Sequence, residues 1–398
     1  MTVPTGQLKD GAIIFARCTT QKKLGTASRR LQFYCTMHYF NADQCFSQKQ
    51  NMSFQHISDL KILLQSPATF EIDSNIVFYF FETSMNKKQI KALHVRKANA
   101  AWKDRNTLQR LPHGLPSRLI VNLTSHPPRY PTLLLTLKCL LTQTVRADRV
   151  MLWIASADMA TLPEPVLQLV KHGLTIRACE DRLSYNKIVH AIEAFPKAFL
   201  VVADDDVYYP PNWLETLVGA FDPGKWEVIC HRARAITRDD QGGVRPYLQW
   251  NEEIADTAPS ALVFPTAGVS GALYRPGILH KDVTRQDLYL ELARTTDDIW
   301  LYFMSRMTGA VSRKAEGFQP IITWAGSQTT NLVAFNNQGG GNDLCWKRLC
   351  DHYGFVPTDL PVRSVPLRQR LAPWRAWFRH LASFDVLARW RAARSKTA

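Results

Sequence analysis

Between Arg118 and Phe221 short apolar runs alternate with stretches of helical period, and this alternation most constrains the fold. The strand-like runs are Arg118–Leu123, Arg149–Ala155, Leu174–Cys179 and Phe199–Ala203. The helical stretches are Thr132–Leu141, Pro165–His172 with Gly173 as terminator, Asn186–Phe195 and Asn212–Phe221. Buried strands separated by helices at this spacing imply an α/β domain, a parallel sheet with right-handed crossovers. Such sheets bind ligands beyond the carboxyl ends of their strands. The loops expected to carry function are therefore Ser125–Pro131, the segment after Ala155, Cys179–Lys187 and Asp204–Tyr209.

Beyond Trp226 the pattern loosens. Glu227–Ile236 reads as a strand, and Ala267–Tyr274 (AGVSGALY) as a glycine-rich strand lying against a ligand. Thr295–Gly309 reads as an acidic loop entering a helix. Asn342–Tyr353 reads as another helix, with Asn342 or Asp343 near its N-cap. Upstream, Asn75–Phe81 is strand-like, Leu60–Leu64 fits helix or strand, and no chemistry stands out. Pro112, Gly114 and Pro116 mark a linker. Three regions result: an extension or small module over 1–117, an α/β domain over 118–362, and a basic tail over 363–398.

The tail is recognisable by its charge. The 398 residues are 46% hydrophobic and 21% charged, which excludes a mainly disordered or fibrous chain. The net charge of +15 divides into +9 over 1–117, −2 over 118–362 and +8 over 363–398. A nearly neutral core thus carries two basic flanks. In the tail Leu371, Trp374, Phe378, Leu381 and Phe384 recur at helical spacing, with Arg370, Arg375, Arg379, Arg389 and Arg391 between them. Such a helix suits an anionic membrane surface, or docks on the protein's own core. A nucleic-acid partner is disfavoured, because no reader motif accompanies the charge. The eight cysteines contain no CxxC pair, and no second pair or His cluster joins Cys345 and Cys350. They read as reduced thiols. The run Ala12–Ala16 is too short for a secretory leader, and no stretch reaches the ~18–20 apolar residues of a spanning helix. These features predict a cytoplasmic protein, peripheral on the inner face of the membrane if the tail binds there.

The sharpest motif is VVADDDVYYPPNWLETL. Three consecutive carboxylates after an apolar strand repel one another, and a divalent cation relieves that cost. Magnesium or manganese takes hard oxygen ligands and completes its shell with water and phosphate. Strand alternation would turn Asp204 and Asp206 to one side as metal ligands, with Asp205 turned away or contacting a ribose. The competing reading is a solvated acidic turn before a helix.

This stretch resembles the DxD region of family-2 type glycosyltransferases of the GT-A fold, closest to bacterial members that build surface polysaccharides. The resemblance runs from about Arg118 to Tyr353 and rests on several ordered segments. The segment LTSHPPRYPTLLLTLKCLLTQTVRADRVMLWIA is similar to the family's opening strand, loop, helix, Q-T turn and second strand. It implies a Rossmann-like, mostly parallel sheet flanked by helices, a nucleotide-diphosphate sugar donor, and a saccharide or lipid-linked acceptor. By position Ser125 and Arg129 would lie against the nucleotide. Glu180 and Asp181 would contact uracil or ribose, and Asn186 and Lys187 would open a helix at the diphosphate. Asp204 and Asp205 would also serve the donor. A helix N-terminus with Lys187 favours pyrophosphate on physical grounds.

The segment TTDDIW resembles the family's T-E-D segment, whose aspartate removes a proton from the acceptor hydroxyl in inverting enzymes. The matching residue is Asp298. Asp297 stands where the family has Glu, and would be the base if the register differs by one. Helix capping by Thr296 or Asp297 is the plainer alternative. GVSGALY resembles the family's glycine-rich segment, which would put Gly268, Ser270 and Gly271 near the sugar or acceptor. Trp250 and Trp300 either stack on sugar or fill the core, and Trp300 is taken as sugar-proximal.

The activity implied is metal-dependent, inverting glycosyl transfer. A nucleotidyltransferase would need a glycine-rich loop after the first strand, and SHPPRYP has none. A haloacid-dehalogenase-type phosphatase would place Thr where Tyr208 stands. A non-catalytic basic binding protein leaves two ordered acidic motifs unexplained.

Overall fold

A computed structural model of the chain describes residues 12–20, 33–41, 86–252, 254, 258–266, 270–317, 321–329, 336–337 and 339–365. Asn75–Phe81, Leu60–Leu64 and the basic tail beyond Val365 lie outside these residues. Contacts divide the chain into two units, 1–79 and 80–398. In the first, Ala12–Thr20 pairs antiparallel with Phe33–Asn41.

The second unit is built on seven strands: β1 Leu119–Thr124, β2 Arg149–Ala155, β3 Leu174–Cys179, β4 Phe199–Val202, β5 Glu227–Cys230, β6 Ala272–Tyr274 and β7 Val311–Lys314. Their order is β7-β5-β6-β4-β1-β2-β3. Six run parallel, and β6 is antiparallel to both of its neighbours. This is the Rossmann-like, mostly parallel sheet expected, with one reversed strand. Along β4, Leu200 and Val202 enter one apolar cluster, while Phe199 and Val201 enter the other. Burial on both faces explains why these strands read as unbroken apolar runs.

Helices cover both faces. Against one pack α1 Lys87–Lys103, α2 Tyr130–Leu141 and α5 Trp213–Gly219. A single turn, α3 Glu164–Leu167, continues as a 3-10 helix to His172 and ends at Gly173 with φ +101°. Against the other face pack α4 Val189–Ala194, α6 Gln286–Leu292, α7 Asp297–Arg306 and α8 Gly341–Tyr353. Every residue of α7 from Ile299 to Arg306 is buried. The Arg306 guanidinium donates to the carbonyls of Pro357, Ala310 and Leu360, so its charge is enclosed in peptide oxygens. A helix enclosed on all sides fixes whatever its first turn carries.

Several expected boundaries move. The helix over Asn186–Phe195 is a 3-10 turn, Leu183–Lys187, followed by the short α4. Glu227–Ile236 divides into β5 and a separate strand, Ala233–Ala235, paired with Val263–Pro265. The glycine-rich strand shortens to β6, because Gly271 precedes it at φ +95°. Gly340, rather than Asn342 or Asp343, stands at the N-cap of α8, and Asp343 Oδ1 accepts from Tyr247 N at 2.7 Å. Among the described residues no helix is long and apolar enough to cross a membrane.

A Cβ on Gly271 would lie 2.4 Å from the Trp213 ring. Gly271→Ala should therefore cost about 2–4 kcal/mol, from overpacking plus left-handed backbone strain. A denaturant midpoint unchanged from wild type would contradict that.

Candidate active site

A cleft of ≈ 1120 Å³ opens at the carboxyl ends of β1 and β4 and reaches the first turn of α7. The acidic motif enters it directly after β4. Asp204–Asp206 lie past the strand end in a turn, so strand alternation does not orient them. Their carboxylates instead take three separate sets of partners.

Asp205 Oδ2 accepts from Ser125 Oγ at 2.5 Å, which ties the end of β1 to the end of β4. Burial pushes the Asp205 carboxyl up to about 7, against the opposing pull of the Ser125 hydrogen bond. Asp206 Oδ2 accepts from Arg129 Nη1 and Gln328 Nε2. Its backbone carbonyl accepts from Trp324 N at 3.0 Å. Asp204 Oδ1 lies 3.1 Å from Lys187 Nζ. Burial raises the Asp204 carboxyl, Lys187 lowers it, and Asp206 and Asp297 raise it further, for a net upward shift.

Lys187 is the pivot of the site. Its side chain is 7% exposed and its Nζ also lies 2.8 Å from Asp297 Oδ2. Burial alone would lower the ammonium's pKa. Asp204, Asp297 and Asp298 outweigh it and hold the pKa well above its ordinary value. The two acidic motifs, 91 positions apart between Asp206 and Asp297, thus meet across one cation. Asp297 opens α7, and Thr296 stands at the N-cap without a side-chain capping bond. The capping role considered for Thr296 is absent. Asp298 is half-buried and faces the cleft.

Of the other expected residues, Ser125, Arg129, Asp181, Asn186 and Lys187 line the cleft. Asp181 Oδ1 accepts from Leu183 N at 2.9 Å and from Asn186 Nδ2 at 3.1 Å, holding the 3-10 turn that carries Lys187. Lys187 itself is not at a helix N-terminus. It reaches the site from the 3-10 turn and bridges carboxylates.

Four assignments do not hold as cleft residues. Glu180 is exposed outside the cleft, paired with Arg182 at 3.3 Å. Trp300 is fully enclosed in the core, its Nε1 donating to Val283 O at 3.1 Å. Ser270 is buried, its carbonyl accepting from Trp213 Nε1 at 2.6 Å, and Gly271 makes its close approach to Trp213 rather than to a ligand. Gly268 lies outside the described residues. Trp250 also belongs to the core, donating to Arg245 O at 2.7 Å.

Sequence reasoning missed one flank of the cleft: Arg232, Arg234, Tyr247 and Glu252, with Gln328 beside the acidic turn. The available signal was the alternation HRARA, which puts two arginines on one face of a strand.

Among the described residues no three His, Cys, Asp or Glu side chains form a ready cage for a metal. Asp204 and Asp206 offer two hard-oxygen donors. Magnesium or manganese commonly takes one or two carboxylates and completes its shell from phosphate and water; here Asp204 pairs with Lys187, and Asp206 with Arg129 and Gln328.

Neither a family model nor a curated protein matches the chain. Among solved structures, a 4-diphosphocytidyl-2C-methyl-D-erythritol synthase from Anaerococcus prevotii is 16% identical over 52% of this chain and 92% of its own, with a TM-score of 0.33. The inositol-1-phosphate CTP transferase from T. maritima is 11% identical over 58% and 96%, with a TM-score of 0.31. S. aureus TarS in complex with UDP-GlcNAc is 14% identical over 65% and 79%, with a TM-score of 0.31. All three are remote likenesses.

Proposed function

We propose that the chain is a transferase acting on a nucleotide-diphosphate sugar, moving the sugar to a hydroxyl of a saccharide or lipid-linked acceptor. The observation that carries this reading is the meeting of the two acidic motifs in one cleft through Lys187. A solvated acidic turn would have no reason to share a buried ammonium with a second acidic pair.

In this reading Arg129 and Lys187 orient the diphosphate, and Ser125 and Asp205 hold the nucleotide end. Magnesium or manganese held by Asp204 and Asp206 would supply positive charge to the departing diphosphate. Asp298 accepts the proton of the attacking hydroxyl. The acceptor oxygen bonds to the anomeric carbon as the bond from that carbon to the diphosphate breaks, and configuration inverts. Asp297 Oδ2 is held 2.8 Å from an ammonium, which favours Asp298 for the proton.

The test is turnover of the full chain with manganese and a panel of nucleotide sugars. Wild type should release nucleoside diphosphate, and Asp206→Ala should lose that release. Equal turnover by the variant would overturn the metal assignment. Consumption of a nucleoside triphosphate and a sugar phosphate, with pyrophosphate as product, would instead make the chain a nucleotidyltransferase.

A further inference from the structure

We propose that the cleft contains an anion subsite, formed by Arg232, Arg234 and Tyr247, that selects an acceptor saccharide carrying a phosphate or carboxylate group. This rests on the transferase reading and names the chemistry of its second substrate.

The flank is built rigidly. Ala233–Ala235 pairs with Val263–Pro265, and Arg234 stands opposite Phe264. Asn251 exchanges two backbone hydrogen bonds with Ala235, at 2.9 and 3.0 Å, and Thr266 N donates to Arg232 O at 3.1 Å. Arg232 and Arg234 are two apart on this extended segment and so share a face. Both line the cleft. The Arg234 guanidinium lies 4.7 Å from the centroid of the Tyr247 ring.

Its charge is only partly answered. Glu252 Oε1 takes Arg234 Nη2 at 2.6 Å, but Arg234 Nη1 is buried with no hydrogen-bond partner among the described residues. A buried donor left without a partner is destabilising. The Arg234 side chain is only 12% exposed, and Glu252 faces two guanidinium groups. Burial lowers the pKa of Arg232, Glu252 opposes this, and Arg234 adds to it, so the two arginines feel one another. A ligand anion would relieve both conditions.

The subsite lies on the acceptor side. Arg129 and Lys187 already serve the acidic turn and the donor's diphosphate. Tyr247 and the proposed base Asp298 line the same cleft. An acceptor hydroxyl presented to Asp298 would leave the rest of its sugar over Tyr247 and its anionic group beside the arginines.

The test uses the full chain and three probes: p-nitrophenyl glucoside, p-nitrophenyl glucuronide and the 6-phosphate of p-nitrophenyl glucoside. Binding is measured by calorimetry with nucleoside diphosphate and manganese present. Donor hydrolysis without acceptor, followed separately, reports on the transferase reading. One or both charged probes should bind at least about tenfold tighter than the neutral glucoside, and the preference should shrink with salt. The stronger arm identifies carboxylate or phosphate as the source. Arg234→Gln should erase the preference, and Arg234→Lys should keep part of it. Equal binding of neutral and charged probes, or binding of neither charged probe, would overturn the subsite. So would a rise in donor KM with no change in acceptor affinity on Arg234→Gln, which would move the arginine to the donor. Donor hydrolysis with no charge preference leaves the transferase reading standing and removes the subsite alone.

Discussion

Asp298→Asn should lower the rate of sugar transfer by about 10²- to 10⁴-fold, the span a positioned general base contributes. Donor binding should persist, because the amide keeps the shape of the carboxyl and Asp298 is outside the set assigned to the diphosphate. The measurement is single-turnover transfer beside titration of the donor. Full transfer by the variant would remove Asp298 as base. A loss of this size from Asp297→Asn alone, with Asp298→Asn active, would shift the base by one residue, to the side chain that pairs with Lys187.

Lys187→Met should destabilise the fold by about 3–5 kcal/mol, because removing one member of a buried ion pair leaves its partners charged and unanswered. Here two carboxylates lose the same cation: Asp204, 27% exposed, and Asp297, 13% exposed. Methionine keeps most of the stem's packing, so the loss reports on charge. Chemical denaturation would read it, and transfer should fall with it, since both acidic motifs lose their common support. Lys187→Arg should recover part of the stability, as it keeps the charge in a longer side chain. A Met variant within 1 kcal/mol of wild type, the usual scale of an exposed pair, would mean that Lys187 is a surface contact.

The strands were legible because helices cover both faces of the sheet. Ile120, Val121, Leu152, Val201 and Val202 are all buried, so periodicity and apolar content agreed. The reversed strand β6 was not legible: three residues after a glycine carry no directional signal. α1 was missed because only His94 and Ala98 of its 17 residues are buried, which leaves no apolar stripe. Its sequence signal was local, the reciprocal capping of Asn86 and Gln89. The acidic turn and the pair at Asp297–Asp298 were visible as motifs. Their junction through Lys187 was not, since a lone lysine before a helix resembles any exposed one. Trp300 misled in the opposite direction: a tryptophan beside an acidic pair looks like a sugar platform, but the turn of α7 points it into the core.

The acidic turn is finished by residues far along the chain. Gln328, 122 positions after Asp206, donates to its carboxylate, and Trp324 donates to its carbonyl. Lys91, from α1, reaches Thr323 Oγ1 at 3.1 Å and Trp324 O at 3.4 Å, and so fastens the same segment from the opposite end of the sequence. During synthesis the three aspartates leave the ribosome long before the strap that steadies them, while α1 is already waiting. A chain stopped before Ile321 would lack Trp324, Gln328 and α8, and with them the partners that this segment gives Asp206 and part of the core on each face of the sheet.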